Sequence, residues 1–312
     1  MNVAICLSGQ PRTYAEGYKY IKKFLIEEYD IEDVFMHFWW DNSTNFQGHL
    51  PGWNIQEISL GDNQYKSDEG NIFNNLVNLY NPKKIEFEPP QSNIDLAPWD
   101  MTKWSRQINE LDFDYKDIDP GYQEFLYNHF KSVFYSQHQV NQLKNNYINE
   151  TGKSYDVIIR TRFDFAFTPY NYDYYQNLKY NGFAKVFPSK EELESIFNSN
   201  PNFCLGFFDN LWIYSNEMHD KMIQGLWDNF DRIFEAVTQP FPLNKMKNSY
   251  SHRWMANQKI YRANLESMQL YYAEELGLFP NNFETLQLNS NFMKIPRTVE
   301  KYKSHHDYFW FN

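Results

Sequence analysis

The sequence predicts an α/β protein with a mostly parallel sheet flanked by helices, and three observations carry that prediction. Val157-Ile158-Ile159 is a continuous run of β-branched apolar residues, which suits a strand buried on both faces. The run ends in Arg160, Arg162 and Asp164, charges that are expensive to bury and that therefore mark the carboxyl end of a strand, the edge where open α/β sheets bind ligands. Strand-like and helix-like patterns also alternate along the chain, as parallel strands with helical crossovers require. The same charged cluster can equally be a structural ion pair at a strand end.

The elements follow in order. Val3–Leu7 reads as a short apolar strand that stops at Ser8-Gly9-Gln10-Pro11-Arg12-Thr13, where Gly9 permits close backbone approach and Pro11 fixes direction. A helical pattern runs from Thr13 to about Glu28, with Tyr14, Tyr18, Ile21, Phe24 and Leu25 on one face and Thr13 or Ser8 as a cap. Strand, small-residue turn and helix open an α/β nucleotide-binding unit, although neither the dinucleotide fingerprint nor the P-loop pattern is present. Residues 33–40 form a second strand in which His37 reads as a hydrogen-bonded core histidine rather than a ligand. A short helix at Ile72–Leu79 leads to a strand at Lys84–Glu88, ended by Pro89-Pro90. Residues 91–121 have no clean period and read as an excursion over the ligand edge.

The longest helix is expected from Tyr122 to about Glu150, with Gly152 as its stop. Beyond the central strand come a strand at Ala184–Phe187, a charged helix from Ser189 to about Phe197, and two apolar runs, Phe203–Phe208 and Leu211–Tyr214. Asp209-Asn210 separates those runs. Ser215 caps a helix expected to run from Glu217 to about Val237, and a last helix is read from His252 to Glu275. No repeat or linker interrupts the chain, so residues 1–312 read as one domain with peripheral excursions at 91–121 and 277–312.

Composition bounds the partners. A net charge of −11 disfavours nucleic acid and anionic membrane. Aromatic residues make up 19% of the chain; most supply core, and some suit half-wet clefts that bind sugars or bases. Cys6 lies inside the first apolar run, so a buried free thiol is expected rather than a disulfide with Cys204. No signal peptide or transmembrane helix is legible, which makes the cytosol the default location.

Three blocks resemble a known family. Ile5-Cys6-Leu7-Ser8-Gly9-Gln10-Pro11-Arg12-Thr13 is similar to the opening strand of small bacterial and viral glycosyltransferases of GT-A type. Ser136 through Asp164 resembles their central piece: a Ser/Tyr-bearing helix, a Gly turn, then Tyr155-Asp156, an apolar run and Arg160-x-Arg162-x-Asp164. Asp209-Asn210-Leu211-Trp212-Ile213-Tyr214-Ser215 resembles a third element. The resemblance implies a GT-A-like, Rossmann-type sheet, a nucleotide-diphosphate sugar donor, a glycan or other hydroxyl acceptor, and a divalent cation (Mn²⁺ or Mg²⁺) held by an Asp-x-Asp motif that bridges the diphosphate.

On that resemblance Ser8, Gly9 and Gln10 would meet the base or ribose, and Arg12 a phosphate or a surface ion-pair partner. Asp164 would hold the metal or the donor sugar. Arg160 and Arg162 would orient Asp164 or neutralise the diphosphate directly. Asp209 is the candidate for acceptor contact or general base, with a turn cap as its alternative. His305 and His306 rank last as a late metal or phosphate contact. The sequence departs from the family pattern at Arg162, which stands where the first acid of Asp-x-Asp belongs. Two other functions stay open: a nucleotide-sugar or carbohydrate-binding protein without turnover, and a phosphate-transferring or hydrolytic α/β enzyme.

Overall fold

The computed structural model describes residues 1–11, 14–39, 69–89, 120–165, 188–207, 210–238, 265–278 and 282–285. The strands are β1 (Val3–Gly9), β2 (Asp33–Trp39), β3 (Lys84–Glu88), β4 (Val157–Thr161), β5 (Cys204–Phe207), β6 (Leu211–Ser215) and β7 (Phe283–Thr285). They form one sheet of order β3-β2-β1-β4-β6-β5-β7. Strands β1 to β4 are mutually parallel, β6 runs against β4 and β5, and β7 is parallel to β5. Among the described residues the sheet is therefore mostly parallel, with β6 as the reversed strand.

The reversal has a local cause. Phe207 pairs with Leu211 across a connection of three residues, too short for a parallel crossover, so the apolar runs around Asp209-Asn210 form a hairpin. The expected strand at 184–187 lies outside the described residues.

Helix α1 (Tyr14–Ile21) continues into a π-helical turn over Lys22–Ile26. It covers one face of the sheet with α2 (Glu69–Tyr80) and α4 (Lys190–Ser199). That core joins Tyr20, Ile21 and Leu25 to Val3, Ile5, Leu7, Met36, Val157 and Ile159. The other face carries α3 (Pro120–Thr151), α5 (Asn216–Asp228), α6 (Phe230–Thr238) and α7 (Leu265–Glu275). Ala4, Cys6, Phe35 and Ile158 pack there against Val140, Tyr147 and Ile148 of α3. Every residue of β2 and β4 is buried, as strands covered on both sides must be.

Most helix ends match their sequence signals. Gly152 adopts φ +71° just beyond α3. Ser215 accepts a bond from the Met218 amide and so caps α5. Ser189 and Glu192 form a reciprocal capping box on α4. Two expectations need correction. Ser8 lies within β1 and caps nothing. The helix read from Glu217 to Val237 is broken at Asn229, whose side-chain and backbone N–H groups both donate to the Gly225 carbonyl and end α5 there. Of the expected helix at 252–275, only Leu265–Glu275 falls among the described residues, and it is helical.

Both cysteines are free and buried, and burial pushes the Cys6 thiol up to about 12. No described helix is long and apolar enough to cross a membrane.

Gly17 fixes how α1 meets the end of β4. A Cβ there would lie 2.0 Å from the carbonyl oxygen of Phe163, a backbone atom that cannot swing aside. Alanine normally favours a helix over glycine by up to about 1 kcal/mol. Gly17→Ala is nonetheless expected to lower stability by about 1–3 kcal/mol, because α1 must lift off the turn at Phe163-Asp164. A urea midpoint equal to or above that of the wild type would contradict this packing.

Candidate active site at the β1–β4 switch point

The winding of the sheet reverses between β1 and β4. From β1 the chain builds outward through β2 and β3, then returns to add β4 on the other side. Such a switch point leaves a crevice beyond the carboxyl ends of the two strands, where ligands of α/β sheets bind. Leu7 pairs with Thr161, so the last residues of β1, Ser8-Gly9, with Gln10 beyond them, and Arg162–Asp164 lie side by side at one carboxyl edge, on strands about 4.8 Å apart. The hairpin comes to the same edge, since Thr161 is also opposite Leu211 and its Oγ1 donates to the Asn210 carbonyl at 3.0 Å. Arg12 and Asp209 lie outside the described residues, as do His305 and His306.

Each remaining candidate has a definite place. Ser8 is buried opposite His37. Gly9 ends β1 at φ +109°, a conformation that glycine adopts readily and other residues resist. Gln10 is half-buried just beyond the strand. Arg162 reaches Asp164 with two parallel bonds, Nε to Oδ1 at 2.8 Å and Nη2 to Oδ2 at 2.9 Å. Asp164 is fully buried, whereas the Arg162 side chain keeps 27% of its exposure. The charged cluster that the sequence left open as an ion pair thus contains one, and its cation is the part that solvent reaches.

Arg160 is separate from that pair. Alternation along β4 turns it to the α3 face with Ile158 and Cys6, where it is almost wholly buried. It bonds the Tyr214 hydroxyl and opposes the rise that burial imposes on that group. Lys144, also fully buried, is held by Asn216 Oδ1 at 2.5 Å and Asp220 Oδ1 at 2.9 Å. Burial, reinforced by Lys144 and then Arg160, keeps His219 far below the ordinary histidine value, so its ring is neutral.

Asp164 does not fit a metal site in this arrangement. A hard divalent cation draws on several oxygen donors, and among the described residues a guanidinium lies across both oxygens of Asp164. What the arrangement can do directly is present a fixed guanidinium to an anion, since Arg matches phosphate oxygens with paired N–H groups. A cavity of about 210 Å³ lies on the opposite, amino edge, lined by Asp156, Glu194, Phe197 and Ser215. Met1 also lines it, and its terminal ammonium pairs with Glu194 at 3.4 Å, which leaves Asp156 as the other charge in the lining.

The sequence reading missed two parts of this site. Asn210 is buried with its Oδ1 lacking a partner among the described residues, and its backbone carbonyl accepts from Thr161. The second is a polar chain behind Gly9. Ser136 Oγ of α3 accepts from the Gly9 amide at 3.0 Å and lies 2.8 Å from His37 Nδ1, while His37 Nε2 lies 3.1 Å from Glu88 Oε1. A partial signal existed: His37 interrupts the buried apolar run of β2 near its carboxyl end.

Burial lowers the pKa of His37, His138 and His219. The unfolded chain therefore binds more protons than the folded one below the ordinary value of about 6.5. Stability is fully retained above that pH and falls as pH drops toward the folded values. Urea midpoints at about pH 7.5 and about pH 5.5 should differ in that sense, with His219 contributing roughly 1 kcal/mol per pH unit. His219→Phe should flatten the drop. Equal stability at both pH values would contradict a neutral, buried His219.

No protein-family model matches the chain. A 63-residue stretch is 32% identical to a heme oxygenase (staphylobilin-producing) of Staphylococcus saprophyticus, a match that takes in 20% of this chain and 61% of that protein. The likeness is local and far shorter than the sheet.

Proposed function

We propose that the chain is a nucleotide-sugar-dependent glycosyltransferase of GT-A type, with its donor diphosphate bound across the β1–β4 switch point. One observation carries the reading: the described parts of the three blocks that resemble such enzymes meet at a single carboxyl edge, through the pairs Leu7–Thr161 and Thr161–Leu211. Arg162 offers the diphosphate a fixed positive charge at that edge. Backbone beyond Gly9, with Ser8 and Gln10 beside it, meets the nucleoside.

In the transfer an acceptor hydroxyl oxygen forms a bond to the anomeric carbon, and the bond from that carbon to the diphosphate oxygen breaks. The electron pair leaves with the diphosphate, whose growing charge Arg162 stabilises. The acceptor proton passes to a base, for which Asp209 is the candidate. Arg160, buried beneath the edge, supports the field there and reaches Tyr214 rather than a surface. Asp164, the only acid of the motif, is committed to Arg162.

That commitment also favours a second reading, a nucleotide-sugar or carbohydrate-binding protein without turnover. Incubation with UDP-, GDP- and CDP-sugars, with and without Mn²⁺, separates the two. The enzyme reading predicts release of free nucleotide from one donor class, reduced about 100-fold or more in Arg162→Gln with the fold intact. Tight binding without release across all donors and acceptors supports the binding protein, and release unaffected by Arg162→Gln removes Arg162 from the site.

A further inference from the structure

The polar chain behind Gly9 has a determinable direction. Glu88 is a carboxylate, an acceptor only, so the ring nitrogen 3.1 Å from it, His37 Nε2, carries the hydrogen. Burial lowers the pKa of His37 despite Glu88, which keeps the ring neutral and leaves Nδ1 a lone pair. The Ser136 hydroxyl has two acceptors in reach, Nδ1 at 2.8 Å and the His37 carbonyl at 3.3 Å; it donates to the nearer Nδ1, and its oxygen accepts the Gly9 amide at 3.0 Å. Tyr135 OH donates to Glu88 Oε1 at 3.0 Å and closes the far end. The chain runs Gly9, Ser136, His37, Glu88, and touches the carboxyl ends of β1, β2 and β3 in turn.

Its location separates it from ordinary core. On the same face, lower in the sheet, the strands present Ala4, Cys6, Phe35 and Ile158. Toward the carboxyl ends of β1 and β2, Ser8 and His37 follow these apolar residues on that face. A buried polar network confers more on geometry than on stability, since well-packed apolar residues would serve stability as well. What this one holds is the backbone of Gly9, at φ +109°.

We propose that Ser136, His37 and Glu88 are positioning residues of the ligand site: they clamp the Gly9 backbone so that the carboxyl end of β1 presents a fixed surface to a nucleoside diphosphate. This rests on the nucleotide reading of the crevice given above. Donation from Ser136 to a neutral His37 strengthens the oxygen as an acceptor for the Gly9 amide. Protonated His37 instead donates from Nδ1 and competes with Gly9 for the serine oxygen. The titratable groups that face His37 among the described residues are Glu88 and Glu86, its register partner, from β3 and Tyr135 from α3; β1 presents Ser8 and the neutral Cys6.

The test uses the full chain with ¹⁵N-glycine and ring-labelled histidine, titrated from about pH 8 to about pH 5. Gly9 is identified by the signal missing in Gly9→Ala. The Gly9 amide should move upfield with the midpoint of the His37 ring. Ser136→Ala should abolish that response while His37 still titrates, and Ser136→Thr should restore it. Glu88→Gln leaves the serine in place and should move both midpoints down together, which keeps the test decisive should Ser136→Ala not fold. In parallel, UDP, GDP and CDP are titrated calorimetrically: Ser136→Ala should bind the preferred nucleotide about tenfold more weakly, with rescue by threonine. A Gly9 amide indifferent to His37, or nucleotide affinity unchanged in Ser136→Ala, overturns the proposal. If Gly9 follows His37 but the wild type binds no nucleotide, the clamp stands and the nucleotide reading of the crevice falls.

Discussion

The pairing of β1 with β4 is the constraint on which the rest depends. Five register pairs, Val3–Val157 to Leu7–Thr161, join segments some 150 residues apart and lie at the centre of the sheet. They force the winding to reverse at the centre of the sheet, the place where open α/β sheets bind ligands. They also bring a small-residue turn and a charged turn to one edge. Without that register Ser8–Gln10 and Arg162–Asp164 would be unrelated stretches of chain.

The two faces of β1 and β4 then take different work. On the α1 face the packing is apolar and tight, with Gly17 pressed against the Phe163 carbonyl so that the charged turn cannot drift. On the α3 face the apolar layer gives way toward the carboxyl edge to Ser136, His37 and Arg160, with Lys144 and His219 behind them. Burying such groups is unfavourable unless each is bonded or neutral. Here Ser136 and His37 are bonded, Lys144 has two oxygen partners, and His219 avoids the penalty by staying uncharged. Arg162 and Asp164 follow the same logic with opposite exposure: the anion is sealed in and the cation faces outward.

Local signals in the sequence gave the elements well. Lys84–Glu88 is a strand with the bounds its pattern implies, the long helix spans Pro120–Thr151 against an expected 122–150, and Gly152 and Ser215 act as stop and cap. His37 is the hydrogen-bonded core histidine that its strand context suggested. Features that depend on distant partners were not legible. The reversal of β6 follows from a three-residue hairpin whose apolar flanks look like any two buried strands. The break at Asn229 needs a side-chain bond that competes with an otherwise continuous helical period. The Gly9–Ser136–His37–Glu88 chain joins residues 127, 99 and 51 positions apart, and no local pattern announces such a meeting. At Arg162 the sequence showed the departure from Asp-x-Asp, but only geometry revealed that both oxygens of Asp164 are taken up by that arginine.

The central claim is that an anionic diphosphate docks where β1 and β4 end. A crystal structure of the protein with a bound nucleoside diphosphate tests it most directly. The account predicts phosphate oxygens within hydrogen-bonding distance of Arg162 and the nucleoside against the backbone beyond Gly9. A diphosphate seated in the amino-edge cavity beside Asp156 and Glu194, or on an outer surface with the β1–β4 edge filled by side chains, would contradict it.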